Sequence, residues 1–213
     1  MKLRFRLRKI FNKDFDLLIE TAFHEAGHVC ISKFAGFDVD SVTIDSVHPG
    51  NGKTNVNYND SLDIVNALFE LDYSSNSFNS LTDEKKSKVI PTTHKLIDSL
   101  LGGPIGEARY IALRDNRDSA NVIVEHSDFM MTNTIVCSLA NLAPHYKQTL
   151  NRNLIYKKVE HLNEIMTLDE FWKSINEVAE KILNSKKYTL SKLEIDETLK
   201  ECKFWEFINS CKN

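Results

Sequence analysis

The first part of the chain alternates between helical and strand-like hydrophobic patterns. From about Asp14 to Phe34, apolar residues recur at helical spacing, and Gly36 follows where a helix C-cap is expected. Residues 39–44 alternate between apolar and polar positions, which predicts a half-buried strand. Pro-Gly-Asn-Gly at 49–52 indicates a turn before a second strand that runs through Val56 and Tyr58. The pattern therefore predicts a helix followed by a β-hairpin.

The middle of the chain is predicted to contain further helices separated by polar or glycine-rich segments. Residues 62–71 have a helical pattern, whereas residues 73–88 are rich in Ser, Asn and charge and are predicted to form a mobile surface loop. Residues 93–101 predict a helix that is broken at Gly102-Gly103-Pro104. Pro104 suits the first turn of a new helix that continues to about Leu113. Ser127 is a candidate N-cap for the next helix.

Beyond Pro144 the pattern predicts helices alone. Thr167 with Glu170, and Ser191 with Glu194, have the spacing of a capping box. An apolar stripe between these two positions predicts core or helix–helix contact, and consists of Leu168, Phe171, Trp172, Ile175, Ala179, Ile182 and Leu183. The predicted fold class is thus mainly α (α+β), with a small β-sheet or hairpin beside the first helix.

The N-terminal residues differ in character from the rest. Residues 1–13 are basic, and apolar and charged residues alternate over 2–8 in a pattern that fits an edge strand but also a helical face. An arm that contacts a membrane surface or a partner is the other interpretation. We predict one domain over 14–213, with residues 14–142 forming the core around the candidate site and residues 143–213 forming C-terminal helices.

Composition excludes several classes of function. The net charge of −3 and pI near 6.2 give no basic field of the kind that nucleic-acid binding requires. No stretch approaches the roughly 20 apolar residues of a membrane-spanning helix, so no transmembrane segment is expected. The four cysteines are scattered without a CxxC pair, which favours a reducing, cytoplasmic setting.

The candidate chemistry begins in the first helix, where residues 24–28 read His-Glu-Ala-Gly-His. In this HExxH motif the spacing places the imidazoles of His24 and His28 one turn apart on one helix face, where both can bind Zn²⁺. Glu25 lies about 100° further around the helix and can reach a zinc-bound water as general base without binding the metal itself. Cys30 is predicted to be buried as a small hydrophobic residue.

Catalytic zinc usually has three protein ligands, so a third ligand must come from elsewhere in the chain. Two acidic residues are candidates from local context: Glu107 in LLGGPIGEARY and Asp128 in EHSDFMM. Glu107 is alternatively a carboxylate that orients a ligating histidine. His126 is either a substrate contact near the metal or a surface histidine.

These segments together resemble a known family. AFHEAGHVCISKF, the strand VDSVTI, the segment LLGGPIGEARY and then HSDF at a helix start are similar to the peptidase domain of FtsH-type membrane-anchored AAA proteases. The resemblance covers roughly residues 17–142, and more loosely the helices that follow. It implies a helical zinc-metallopeptidase domain with His24, His28 and Asp128 as zinc ligands and Glu25 as general base. The AAA ATPase module of that family has no counterpart in this sequence.

The function expected from motif and resemblance is a zinc-dependent metalloendopeptidase without its own ATPase. Its substrates would be peptides or unfolded protein segments, and the strand over 39–44 is a candidate edge for adding an extended peptide. The alternative is a metal-binding, non-catalytic adaptor that binds peptides or joins a separate protease or ATPase. A third reading makes the HExxH motif accidental. Self-association of the chain is left open.

Overall fold

The computed structural model describes residues 13–116, 126–142, 150 and 152–211. The strand-like N-terminal residues 2–8 lie outside these ranges. The fold is mainly helical with one small sheet, as the sequence pattern predicts. The first half contains α1 (Lys13–Phe34), β1 (Asp38–Ile44), β2 (Gly52–Asn57), a 3₁₀ turn (Asn59–Ser61), α2 (Leu62–Glu70), α3 (Asn76–Asn79), α4 (Asp83–Ser87) and α5 (Val89–Arg114). The second half contains α6 (Ser127–Leu142), α7 (Arg152–Thr167), α8 (Asp169–Asn184), β3 (Thr189–Ser191), α9 (Lys192–Glu201) and α10 (Phe204–Cys211).

Helix α1 lies at the centre of the fold. Its apolar positions are fully buried between α5, α8 and the sheet, and include Ala22, Ala26, Val29, Cys30 and Ile31. The predicted burial of Cys30 is thereby confirmed. The helix ends where predicted, because Gly36 adopts a φ of 87°, a left-handed conformation that glycine reaches without steric cost. None of the described helices is long and apolar enough to cross a lipid bilayer.

The predicted helix break at Gly102-Gly103-Pro104 is wrong, because α5 runs without interruption from Val89 to Arg114. The glycines permit a close approach to α1. A Cβ on Gly27 would lie 2.2 Å from the carbonyl oxygen of Gly102, and a Cβ on Gly106 would lie 2.9 Å from the carbonyl oxygen of Phe23. The two helices therefore pack backbone against backbone, and this packing outweighs the weak helix propensity of glycine and proline.

The sheet has the order β2-β1-β3, with both pairs antiparallel. The predicted hairpin is present, and Gly50 in its turn has a φ of 101°. Strand β1, however, is not the edge strand that was expected, because β3 pairs with its second side. Strand β2 is an edge of the sheet, since within the described ranges it pairs with β1 alone.

Two further predictions need correction. Residues 73–88 contain the short helices α3 and α4 rather than a mobile loop, because Phe78 and Leu81 are buried in the core. The C-terminal part is not purely helical, since β3 precedes α9. Ser191 and Glu194 form the predicted capping box of α9. Thr167 caps nothing, because its hydroxyl donates to the carbonyl oxygen of Glu164 and α8 begins after Leu168.

Candidate metal centre

The two histidines of the HExxH motif lie one turn apart on α1 and face α5 and the start of α6. The His24 side chain is 9% exposed and that of His28 is 12% exposed. Their Nε2 atoms are 3.1 Å apart, and the rings meet edge to face. The i,i+4 spacing of the motif thus converges the two nitrogens on one point.

A hydrogen bond at the second nitrogen fixes the orientation of each ring. Nδ1 of His24 donates to Oε2 of Glu107 at 2.9 Å, and Nδ1 of His28 donates to the backbone carbonyl oxygen of Ser99 at 2.8 Å. Because Nδ1 carries a proton in both rings, Nε2 is the nitrogen that can give up its proton and offer a lone pair to a metal. This arrangement prepares a histidine to bind a metal through Nε2.

Asp128, in the first turn of α6, brings a carboxylate oxygen to the same point. Its Oδ2 atom lies 3.1 Å from Nε2 of His24 and 3.3 Å from Nε2 of His28. The helix does not use Ser127 as its cap, because Ser127 is the first helical residue. His126 takes that role, since its carbonyl oxygen accepts from the Met130 N–H and its Nδ1 accepts from the Asp128 N–H.

The donor set fits a divalent metal ion. Zinc with tetrahedral ligands at about 2.1 Å separates those ligand atoms by roughly 3.4 Å, and the three separations here are 3.1, 3.1 and 3.3 Å. Lone pairs that point at one position repel each other unless a cation or proton lies between them. The ligand atoms of His24, His126 and Asp128 also lie within 4.8 Å of one another, so that this group could hold a metal ion.

The pKa values in the cluster are shifted towards a protonated His24 and an ionised Asp128. Burial by itself lowers the pKa of His24, but hydrogen bonds with Asp128 and Glu107 and the nearby Glu25 outweigh it and raise that pKa to about 9. Burial opposes ionisation of Asp128, yet the histidines His126, His24 and His28 hold its pKa well below the usual range. The cluster is thus built to keep an anionic carboxylate beside a cation.

Glu25 points from α1 towards the hairpin. Its side chain is buried, and Oε2 accepts a hydrogen bond of 2.6 Å from the hydroxyl of Thr54 on β2. A Cβ on Gly52 would lie 2.3 Å from Oε1, so the carboxylate also rests against the backbone of β2. Strand β2 therefore holds the carboxylate of Glu25 in one orientation.

An open cleft of about 630 Å³ joins these groups. Its walls include the two histidines, Glu25, Asp128 and the inner side of β2 from Gly52 to Val56. Gly103 lies against the two histidine rings: a Cβ there would lie 2.3 Å from Nε2 of His28 and 2.6 Å from Nε2 of His24. The missing side chain at residue 103 is what leaves space at the convergence point.

All five sequence-predicted site residues are brought together: the three proposed ligands, Glu25 and Glu107. Three contributors were missed. Thr54 and Ser99 carry no recognisable motif, because their contacts depend on tertiary packing. Gly103 precedes Glu107 by one helical turn, so a continuous α5 would have placed both on the face towards the histidines. His126 packs in the cluster rather than on the open surface.

Comparisons with known proteins add no relative. No protein-family model, curated protein or solved structure matches the chain.

Proposed function

We propose that the protein is a zinc-dependent metalloendopeptidase of the FtsH-like type. One observation carries the proposal: three metal-ligand atoms converge in an open cleft beside a buried glutamate from the same helix turn. An HExxH helix, a remote carboxylate and an accessible fourth position are the parts of a catalytic zinc site. The resemblance to the FtsH-type peptidase domain implies the same ligands and the same base.

The ligands under this proposal are His24, His28 and Asp128, and zinc is the metal. Two imidazole nitrogens and one carboxylate oxygen suit zinc better than calcium or magnesium, which prefer oxygen ligands alone. When bound, zinc would supply Lewis acidity that activates water and polarises a peptide carbonyl. Glu107 acts on the site through His24, because it holds Nδ1 and contacts none of the other ligand atoms described above.

Glu25 is the proposed general base. It accepts a proton from the attacking water and delivers it to the leaving amine. The hydrogen bond from Thr54 occupies Oε2 and leaves Oε1 as the oxygen available for that proton transfer. No such carboxylate is needed in an adaptor that only binds metal and peptide, which is why we favour the enzyme.

The proposed substrate is an extended peptide or an unfolded protein segment. Among the described strands, β2 and not β1 offers an edge at the site, and its residues Gly52, Lys53, Thr54 and Val56 line the same cleft as Glu25. A peptide that adds to this edge as a strand would run past the metal position. Folded proteins rarely expose such a segment, so flexible chains are the expected substrates.

The cellular setting proposed is a reducing one. All four cysteines lie in the described ranges and carry free thiols, including the buried Cys30 and Cys202. Unpaired buried thiols are typical of cytoplasmic proteins. The proposed site needs neither the basic N-terminal residues nor a second copy of the chain, because all residues that line the cleft lie between Leu17 and Asp128.

The test is hydrolysis of casein and of a peptide library by protein that holds about one zinc per chain. Glu25→Gln should keep the zinc and lower the rate by roughly 10² to 10⁴, since amide nitrogen cannot accept the proton. His24→Ala should lose the zinc as well as the activity. The matched control is Glu20→Gln, five residues earlier on α1 and outside the cleft, where the carboxylate pairs with Arg114. Zinc-loaded protein that cleaves no unfolded substrate would favour the adaptor, and equal rates for Glu25→Gln and wild type would exclude Glu25 as base.

A further inference from the structure

The imidazole of His126 brings a third nitrogen, and a fourth candidate donor atom in all, to the cluster. Its ring stacks on that of His24 with centroids 4.4 Å apart and an angle of 29° between the planes. Its Nδ1 lies 3.0 Å from Oδ2 of Asp128, the same oxygen that faces both motif histidines. The side chain is 25% exposed, so it lies on the open side of the site.

The distance from this nitrogen to Asp128 is that of a neighbouring ligand, and the ligand atoms of His126, His24 and Asp128 lie within 4.8 Å of one another. Its separation from Oδ2 is close to the separations among the other three donors, which are 3.1 to 3.3 Å. The Asp128 N–H lies 3.3 Å from Nδ1, and this long hydrogen bond uses the single lone pair of that nitrogen, so Nδ1 would give it up on binding a metal. A lone pair so close to a carboxylate oxygen is repelled unless a cation or proton lies between the two atoms. A metal held by Asp128 would remove that repulsion.

We propose that His126 is a fourth protein ligand, which closes the resting metal site and must leave before substrate is cleaved. The ligand set then has three imidazoles and one carboxylate. Zinc sites with four protein ligands are closed, whereas catalytic zinc sites keep one position for water. The consequence for cleavage rests on the proposed peptidase function, but the ligation itself does not. Asp128 lies in the first turn of α6 and His126 caps that helix, so each of the two residues can be changed without the other.

The competing role for His126 is a hydrogen bond to the substrate. In that case its ring would face the cleft without binding the metal, and two imidazoles would remain on zinc. The two roles differ in a property that can be counted directly, namely the number of imidazole rings in the metal's coordination sphere.

The experiment is X-ray absorption spectroscopy of full-length protein loaded with one equivalent of zinc. We expect scattering from three imidazoles in wild type and two in His126→Asn, in which asparagine preserves the capping acceptor of α6. His126→Ala should give the same count, and zinc affinity should fall by at least about tenfold in both variants. His161→Ala is the control, because this exposed histidine on α7 does not line the cleft, and it should keep three imidazoles.

Two imidazoles in wild type, unchanged in His126→Asn, would overturn the inference. Hydrolysis rates measured on the same samples separate it from the peptidase proposal. Faster cleavage by zinc-loaded His126→Asn than by wild type supports a closing ligand. An unchanged coordination sphere with a rate loss above about 100-fold would instead assign His126 to substrate binding, against our inference. If zinc has three imidazole ligands but the protein cleaves no substrate, His126 is confirmed as a ligand and the proposed peptidase function is refuted.

Discussion

Glu107 accepts a hydrogen bond from Nδ1 of His24 at 2.9 Å, and this contact turns Nε2 of the same ring towards Asp128. The two carboxylates therefore occupy opposite ends of one imidazole. Sequence context makes either of them a candidate ligand, and the geometry separates their positions. Glu107 orients the ring through Nδ1, and Asp128 lies beside Nε2 at the other end of the ring.

The first prediction uses that difference. Glu107→Ala should weaken zinc binding by roughly 10- to 100-fold, because the ring of His24 loses the group that fixes its orientation and tautomer. Glu107→Gln, which still accepts a hydrogen bond, should be milder. Asp128→Ala should weaken binding more than either, since it removes a ligand atom. Competition with a chromophoric chelator gives the affinities, and a larger effect of Glu107→Ala than of Asp128→Ala would reverse the two roles.

The second prediction concerns the hydroxyl that holds the base. Thr54→Val should lower kcat by roughly 10- to 100-fold with zinc content unchanged, because a hydrogen bond to a charged group contributes about 1.5–3 kcal/mol. Thr54→Ser retains the hydroxyl and should recover most of the rate. Steady-state kinetics on one peptide substrate measure the effect. If the serine variant is as slow as the valine variant, the methyl group of Thr54 matters rather than its hydrogen bond to Glu25.

The third prediction concerns the glycine that lies against the two histidine rings. Gly103→Ala should abolish tight zinc binding, because the new methyl group would lie 2.3 Å from Nε2 of His28. Overpacking at this position should also lower the free energy of unfolding by about 1–3 kcal/mol. Leu113→Ala, at an exposed position on the same helix, is the control and should leave zinc binding intact. Isothermal titration with zinc and urea unfolding of the metal-free proteins provide the two readouts.

The fourth prediction is a pH dependence of stability away from the cleft. Burial disfavours ionised Asp38, but hydrogen bonds with Lys192 and with the buried Lys33 outweigh that effect and lower the pKa of Asp38 to about 2, from the ordinary 3.8. A carboxyl whose pKa is lower in the folded protein contributes stability above the unfolded pKa and loses it as the pH falls through the folded one. Asp38→Asn should therefore cost about 1–2 kcal/mol at pH 7 after allowance for partial exposure.

That cost should shrink between about pH 4 and pH 2, where the wild-type carboxyl becomes protonated as well. Urea unfolding of both proteins across this range, with chelator present, measures it. Asp40→Asn is the matched control, because Asp40 is exposed on the same strand and contacts only Asn57 in the hydrogen bonds described. A difference between wild type and Asp38→Asn that stays constant with pH would contradict the assignment.

Local pattern was enough to predict the central helix, the hairpin and the cap at Ser191. These features depend on residues that are close in sequence, such as the spacing of His24 and His28. The errors arose where distant segments decide the structure. The pairing partner of β1 on its second side is Leu190 and its neighbours, far along the chain, so the edge strand could not be identified from local alternation.

Glycine was the other source of error. Gly102 and Gly103 have poor helix propensity, and by themselves they predict a break. Their role becomes visible only with α1 in place, because Gly27 and the histidine rings occupy the space that side chains would fill. For the site, motif and resemblance named the residues that we propose as ligands and base, whereas the supporting contacts of Thr54 and Ser99 required the packed structure.

The separation of His24 and Asp128 along the chain has a consequence for folding. Their contact spans 104 residues, so a metal bound to both would close a loop of that length, as a covalent crosslink does. Such a clamp acts mainly by restricting the unfolded chain, and its free energy of binding counts towards folding. Removal of the metal by a chelator would then release the start of α6 from α1, in addition to abolishing any activity. Amide groups at the start of α6 would exchange faster with solvent, while those in the glycine-lined contact between α1 and α5 would stay protected.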